Sequence, residues 1–255
     1  KELIFKCILV NALAHTKVSI EIPELDFIQS FYTNQEGMVE GTIKLNPQLW
    51  SPSNPKLYKV NIFTKNDSIS DRIGFRNIYI KGRQIFLNGD PIKFKGISMH
   101  AEPLGEPGPA FSKEHFQELL KLSKDLNTNF VRAAHYPYSR HLARVADEMG
   151  VLLWEEVPVY WNIDWTNPKT LEIALNQITR LVERDWNRSS VGVWSIANET
   201  PFSPERMEFL KQLLAIIKLK DQSRLTTAAL LSGSEEQFRS LILVLAIQGI
   251  KSNWV

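Results

Sequence analysis

The chain reads as two folds in succession: an antiparallel β-sandwich over residues 1–78 and an α/β segment of barrel type over residues 79–255. Three observations predict this. Short runs with period-two alternation, broken by turn formers, fill the first part. Strand-like and helix-like segments alternate after about residue 79, which is how a parallel sheet is built. Ionisable and amide side chains recur just after the strand-like segments, where barrel enzymes keep their chemistry.

In the first part, residues 18–22, 39–45 (around Gly41) and 57–63 each alternate apolar with polar residues. Asn46-Pro47, Ser51-Pro52 and Asn54-Pro55 punctuate them as turns. No helical periodicity of useful length interrupts, and short strands at this spacing point to a sandwich. Residues 84–87, Asn88-Gly89 and residues 92–95 then read as a hairpin, because Asn-Gly adopts the positive φ of a two-residue turn. Strands are expected at 96–99, 129–134, 151–154, 191–197 and 225–229. Ser112 caps a helix whose apolar face holds Phe116, Leu119, Leu120 and Leu126. Residues 171–186 repeat apolar side chains at helical spacing. Ser203-Pro204-Glu205 starts a further helix, with Met207, Leu210, Leu213 and Leu214 on one side.

Such β-then-α units make either an open doubly wound sheet or a closed (β/α)8 TIM barrel. No glycine-rich phosphate loop follows the first strand, and polar residues crowd the strand ends, so the barrel is favoured. About five strands can be counted, and a full barrel takes ~250 residues, more than follow residue 79. An incomplete barrel is therefore expected.

Composition excludes several classes. An apolar fraction of 44% over 255 residues supports a sizeable core. With 30 basic and 28 acidic residues the net charge is +2, which calls for neither nucleic acid nor an anionic membrane as partner. The lone Cys7 rules out an internal disulfide and a cysteine-based zinc site. The chain opens at Lys1, without Met, inside an apolar run, so an upstream piece is expected, and any signal peptide with it. The apolar run 241–247 falls well short of the ~18 residues of a membrane span.

Four strand ends carry the chemistry. The first is followed by His100, Ala101 and Glu102, and the second holds Arg132 and leads to His135-Tyr136-Pro137. The third ends in Trp154-Glu155-Glu156, and the fourth, 193–199, in Asn198-Glu199. One or two such ends arise by chance; four on one rim imply a shared polar pocket. Glu199, expected half out of water there, is placed for proton transfer. Each residue also has a plainer role. Glu155 and Glu156 serve equally well as an ion-pair partner for Arg132. His100 and His135, taken singly, are ordinary loop histidines. Trp161 and Trp165 either cover the barrel mouth or stack on sugar rings. His115 and His141 fall in helical segments as solvated residues, His15 on the sandwich surface, and Glu235-Glu236 at an exposed helix start.

A run of motifs in order adds to this. Leu49-Trp50-Ser51-Pro52-Ser53-Asn54-Pro55-Lys56-Leu57-Tyr58 is followed by Ile73-Gly74-Phe75-Arg76, Phe86-Leu87-Asn88-Gly89 and Lys95-Gly96-Ile97-Ser98-Met99-His100. Asn129-Phe130-Val131-Arg132-Ala133-Ala134-His135-Tyr136-Pro137, Ala146-Asp147-Glu148-Met149-Gly150-Val151 and Val193-Trp194-Ser195-Ile196-Ala197-Asn198-Glu199 complete it. Together these blocks resemble glycoside hydrolase family 2, which includes the β-galactosidases, β-glucuronidases and β-mannosidases.

The resemblance implies an immunoglobulin-like sandwich, then a TIM barrel, with a jelly-roll domain upstream. It implies a retaining β-glycosidase acting on terminal β-linked sugars, without a metal or other cofactor. Glu199 would be the general acid/base and Asn198 would bind the sugar 2-hydroxyl. His100, Arg132 and His135 would line the sugar subsite with Trp161, and Glu156 would hold Arg132 in place. The segment from Ala133 to Tyr138 leans towards the galactosidase and glucuronidase side. The family's nucleophilic glutamate is not found in this chain: after Thr227 the pattern lapses, and residues 232–255 give a polar stretch and a short apolar run. A truncated chain, or a tail of about 25 residues out of register with its gene, is the expectation there. The rival reading is a non-catalytic carbohydrate-binding or scaffold protein; a metal hydrolase built on His100 and His135 lacks the usual ligand spacing. The sugar, the compartment (cytoplasmic, periplasmic or secreted, for a bacterial protein) and any oligomer of the intact parent stay open.

Overall fold

A computed structural model describes residues 2–230, which form two compact units. The first takes residues up to Trp50 together with Asn54–Phe75. It holds β1 (Glu2–Ile8), β2 (Lys17–Ile22), β3 (Phe27–Tyr32), β4 (Met38–Lys44), β5 (Tyr58–Phe63) and β6 (Ser68–Ile73). β1 pairs antiparallel with β4, and β3-β2-β5-β6 form an antiparallel four-stranded sheet. Ile20 and Ile22 on β2 and Tyr58 and Val60 on β5 are buried at every second position, as alternation requires. Phe5 on β1 meets Phe31 on β3 with ring centroids 4.6 Å apart, which ties the two sheets together. Burial of each such side chain contributes ~1.5–3 kcal/mol.

The second unit takes Ser51–Ser53 and everything described from Arg76 onward. It opens with a three-stranded antiparallel meander, β7 (Ile78–Lys81), β8 (Gln84–Leu87) and β9 (Asp90–Ile92). Asn88 and Gly89 make the turn with φ of 58° and 99°. That tight turn pairs Leu87 directly with Asp90, so the second hairpin strand lies at Asp90–Ile92 and not at 92–95 as expected. Phe94 instead leaves the hairpin and stacks on Phe130 at 4.3 Å.

Strands and helices then alternate: β10 (Gly96–Met99), α1 (Lys113–Asp125), β11 (Phe130–Ala133), α2 (His141–Met149), β12 (Leu152–Glu156), α3 (Pro168–Asp185), β13 (Val191–Asn198), α4 (Pro204–Lys220) and β14 (Leu225–Ala229). The sheet order is β10-β11-β12-β13-β14 and every pairing is parallel. All five strands therefore deliver their C-terminal ends to one edge. Three of these four helices start on side-chain caps, α2 being the exception. Ser112 accepts from His115 N, Asn167 from Lys169 N and Ser203 from Arg206 N, each worth ~1 kcal/mol. Two expectations for α1 fail. Leu126 sits past the helix end and is 65% exposed, while Phe116 and Leu120 form the buried face. His115 is not solvated, because Glu106 lies 3.3 Å from its Nε2 and Phe111 N donates to its Nδ1.

Val131, Ala133, Leu153, Trp194 and Ile196 face the helices and pack with Phe116, Leu142, Ile178 and Leu213. The N-terminal ends of β13 and β14 are pinned by arginines. Arg76 donates to the carbonyls of Ser189 and Ser223 at 3.0 and 2.9 Å, and Arg224 to that of Val191 at 2.9 Å and to Asp221 at 2.7 Å. Burial alone would raise the Asp221 carboxyl, but Arg224, the Trp194 indole and Ser223 outweigh it and hold it at about 2.

Candidate active site

The site begins with strand register. Ser98, Arg132 and Trp154 are lateral neighbours on β10, β11 and β12, so they share a face; Ala133, Glu155 and Trp194 form the next row, on the helix side. Side chains alternate along a strand, so Glu156 returns to the face of Arg132. Arg132 Nε donates to Glu156 Oε2 at 3.1 Å, and its Nη2 to Oε1 at 3.0 Å. Trp154 Nε1 donates to Oε2 at 2.7 Å, and His135 Nδ1 lies 2.5 Å from Oε1. The Arg132 guanidinium also lies 4.9 Å over the Trp154 ring. Glu156 is 1% exposed, and only this set of donors offsets the several kcal/mol lost on burying its charge.

Glu155 and Glu156 were equal candidates as the partner of Arg132; the partner is Glu156. Glu155 is buried on the opposite side, with neither oxygen in hydrogen-bond geometry with any described group. Burial first, and then the nearby Asp185 charge, push its carboxyl well above the ordinary carboxylate range.

Asn198, buried at the end of β13, accepts at Oδ1 from Arg132 Nη2 at 2.6 Å. A guanidinium has only donors, so this bond fixes the amide with oxygen inward and turns the Nδ2 donor away. Glu199 follows with φ 49°, its N donating to Ala229 O at 2.9 Å. Its side chain is exposed, not half-buried as expected, and Oε2 accepts from Trp161 Nε1 at 3.2 Å. Trp161 itself has φ 55° and is 63% exposed. Left-handed backbone costs a non-glycine residue ~1–2 kcal/mol; here the loop after β12 is stitched to the end of β13. Asn198 N donates to Val159 O at 2.8 Å, Trp161 N to Asn198 O at 3.1 Å, and Tyr160 bridges to Asn198 in parallel.

Rings line this edge. His100, exposed, meets His135 edge-on at 5.5 Å; His135 lies 5.9 Å from Tyr160; Tyr160 stands at 89° to Trp161 at 5.4 Å. Trp165 does not join them. It packs edge-on against Phe209 of α4 at 5.3 Å, as part of the helix layer. Two residues of the cluster were not singled out from sequence, Trp154 and Tyr160. Trp154 stands two positions before Glu156, and that spacing alone places it on the same face. Tyr160 follows the strand and carries no such signal. A depression of about 330 Å³ lined by Leu171, Leu175 and Thr179 lies along α3, apart from these strand ends. Among the described residues no helix is long and apolar enough to cross a membrane. Glu235, Glu236 and the run 241–247 lie outside the described residues.

Comparison with known proteins gives consistent matches along the chain. The profile "Glycosyl hydrolases family 2" matches residues 8–76, and "Glycosyl hydrolases family 2, TIM barrel domain" matches residues 78–243. A β-galactosidase from Thermoanaerobacterium thermosulfurigenes is 32% identical over 155 residues, 58% of this chain and 21% of that protein. A β-glucuronidase from Streptococcus agalactiae is 34% identical over 171 residues, 59% of this chain and 28% of that protein. The crystal structure of a family 2 β-galacturonidase from Eisenbergiella tayi bound to galacturonate is similar with a TM-score of 0.76 at 27% identity, over 89% of this chain and 42% of that one. The chain thus spans less than half the length of each relative. These matches support a β-sandwich plus TIM-barrel fold. The barrel profile runs on to residue 243, so it takes in residues 232–243, where the family pattern was expected to have lapsed.

Proposed function

The chain belongs to glycoside hydrolase family 2, and on that premise we propose that it carries the acid/base side of a retaining β-glycosidase site. One observation carries the reading: an exposed carboxylate, Glu199, held in posture by Trp161 and Ala229, directly follows an amide that Arg132 orients. Glu199 protonates the glycosidic oxygen as the bond to the leaving group breaks, then removes a proton from the incoming water. Asn198 Nδ2, turned outward, donates to the sugar 2-hydroxyl. Arg132, His135 and His100 line the sugar, and Glu156 holds Arg132.

Retaining chemistry needs a second carboxylate ~5–5.5 Å from the first. Glu156 does not fit, because both its oxygens are taken by Arg132, Trp154 and His135. Glu155 faces the helices. The nucleophile therefore comes from outside the described residues, and residues 2–230 by themselves, without it, hydrolyse little. The substrates are terminal β-linked sugars, with galactosides and glucuronides the first to try, after the names of the relatives.

The full engagement of Glu156 also favours a second reading, a carbohydrate-binding or scaffold protein that keeps half a site. A version lengthened to a complete barrel tests both. In it, Glu199→Gln is expected to lose about 100-fold or more on substrates with poor leaving groups, and far less on activated aryl glycosides. Equal loss on both classes contradicts the acid/base role. If neither version turns over any glycoside while both bind sugar, the binding reading stands.

A further inference from the structure

We propose that Trp161 is the floor of the leaving-group subsite, and that it selects β-glycosides whose leaving group presents a flat apolar face. The proposal rests on the reading of Glu199 as the acid/base. The oxygen that such an acid protonates is the one shared by sugar and leaving group. A side chain bonded to that carboxylate on its exposed flank is then within reach of the leaving group. Trp161 is that side chain: Nε1 reaches Glu199 Oε2 at 3.2 Å while the residue stays 63% exposed.

Two further observations argue that the display is built. The row His100, His135, Tyr160, Trp161 has a polar end and a bare end. His135 is tied into the Arg132–Glu156–Asn198 network, which suits hydroxyl groups. Trp161 is held through its N–H, its backbone and the Tyr160 ring, and still stays 63% exposed, which leaves indole surface to stack. Trp161 also sits in left-handed backbone, rare for so bulky a residue, and is held there by Asn198 O. Tyr160 buttresses the ring at a right angle. Backbone strain of this kind persists where the surrounding structure fixes it for use.

An aryl ring and the C–H face of a second sugar share this stacking chemistry, so the test separates them. The 255-residue chain, ¹⁵N-labelled at its indoles, is titrated with 2-naphthyl and methyl β-galactosides and β-glucuronides, and with lactose. Trp161→Phe assigns the signal. The Trp161 resonance should move with naphthyl glycosides, and Trp161→Ala should weaken their binding about 5-fold, within the range of aromatic stacking. Methyl glycosides, whose leaving group has no flat face, should lose far less, and Trp161→Phe should restore most of the naphthyl loss. A parallel loss on lactose identifies a sugar leaving group, and a loss confined to naphthyl an aryl one. Equal loss on naphthyl and methyl glycosides, or none on either, overturns the platform and leaves the acid/base reading intact. If the unaltered chain binds no glycoside at all, the reading of Glu199 falls first and the platform with it.

Discussion

Arg132 on β11 donates to Asn198 Oδ1 at 2.6 Å, reaching past β12 to join two strands that are not sheet neighbours. The same guanidinium holds the buried Glu156. Arg132→Met should therefore leave one buried charge short of its cation and one amide unoriented. A loss of ~3 kcal/mol in urea unfolding is expected. Glu156→Gln should cost less in the Arg132→Met background than alone, because the charge that needs the arginine is then gone. Strictly additive losses would show that the pair does not act as a unit.

Glu155 provides a pH signature of its own. Its folded carboxyl is raised above the unfolded one by burial and by Asp185. The folded chain then binds the extra proton, so this contribution is complete below the unfolded value, near ~4.3, and is lost as pH rises towards the folded value. Glu155→Gln mimics the protonated form. Its urea midpoint should fall less than that of the unaltered chain between pH 5 and pH 8, and parallel curves would refute the assignment.

This residue also shows what sequence could tell. Two adjacent glutamates at a strand end look alike, and the choice between them depends on register. Arg132 pairs laterally with Trp154 on β12, and that pairing, which no residue in the strand announces, puts Glu156 and not Glu155 on its face. The regular parts were legible. β13 is buried along its whole length and reads as an apolar and small-residue run, and the helix caps at Ser112 and Ser203 sit where capping residues precede apolar periodicity. β1 and β3 were not, because Ile4, Ile8 and Ile28 are exposed and blur the alternation. Glu199 was found from its strand, but its exposure depends on a turn of backbone at one residue.

Asp221 acts in the opposite sense. Its folded value of about 2 lies below the unfolded ~3.9, so its contribution is present above pH 4 and is lost as pH falls towards 2. Asp221→Asn should cost ~2 kcal/mol at pH 7, and most of that difference should be gone by pH 2. Asp147, raised to about 6 by burial against the pull of Arg188 and Ser190, slopes the other way between pH 4 and 6. The diagnostic quantity is therefore the difference between the two proteins at each pH, and a difference independent of pH would contradict the assignment.

Gly150 ends α2 at φ 71°, and a Cβ there would lie 2.5 Å from the Pro52 carbonyl oxygen. Gly150→Ala meets both a left-handed backbone and a backbone atom that cannot swing aside. Thermal unfolding should show a loss of about 2 kcal/mol. A change under ~0.5 kcal/mol would mean that the contact relaxes freely.

The ladder between the loop after β12 and the end of β13 uses main-chain atoms of Val159, Trp161 and Asn198. The tilt of the Glu199 backbone is thus set by main-chain groups that every residue but proline supplies, while the rings at 160 and 161 hang from it. Such an edge can exchange its tenants across generations of descendants and keep the carboxylate of Glu199 at the same address.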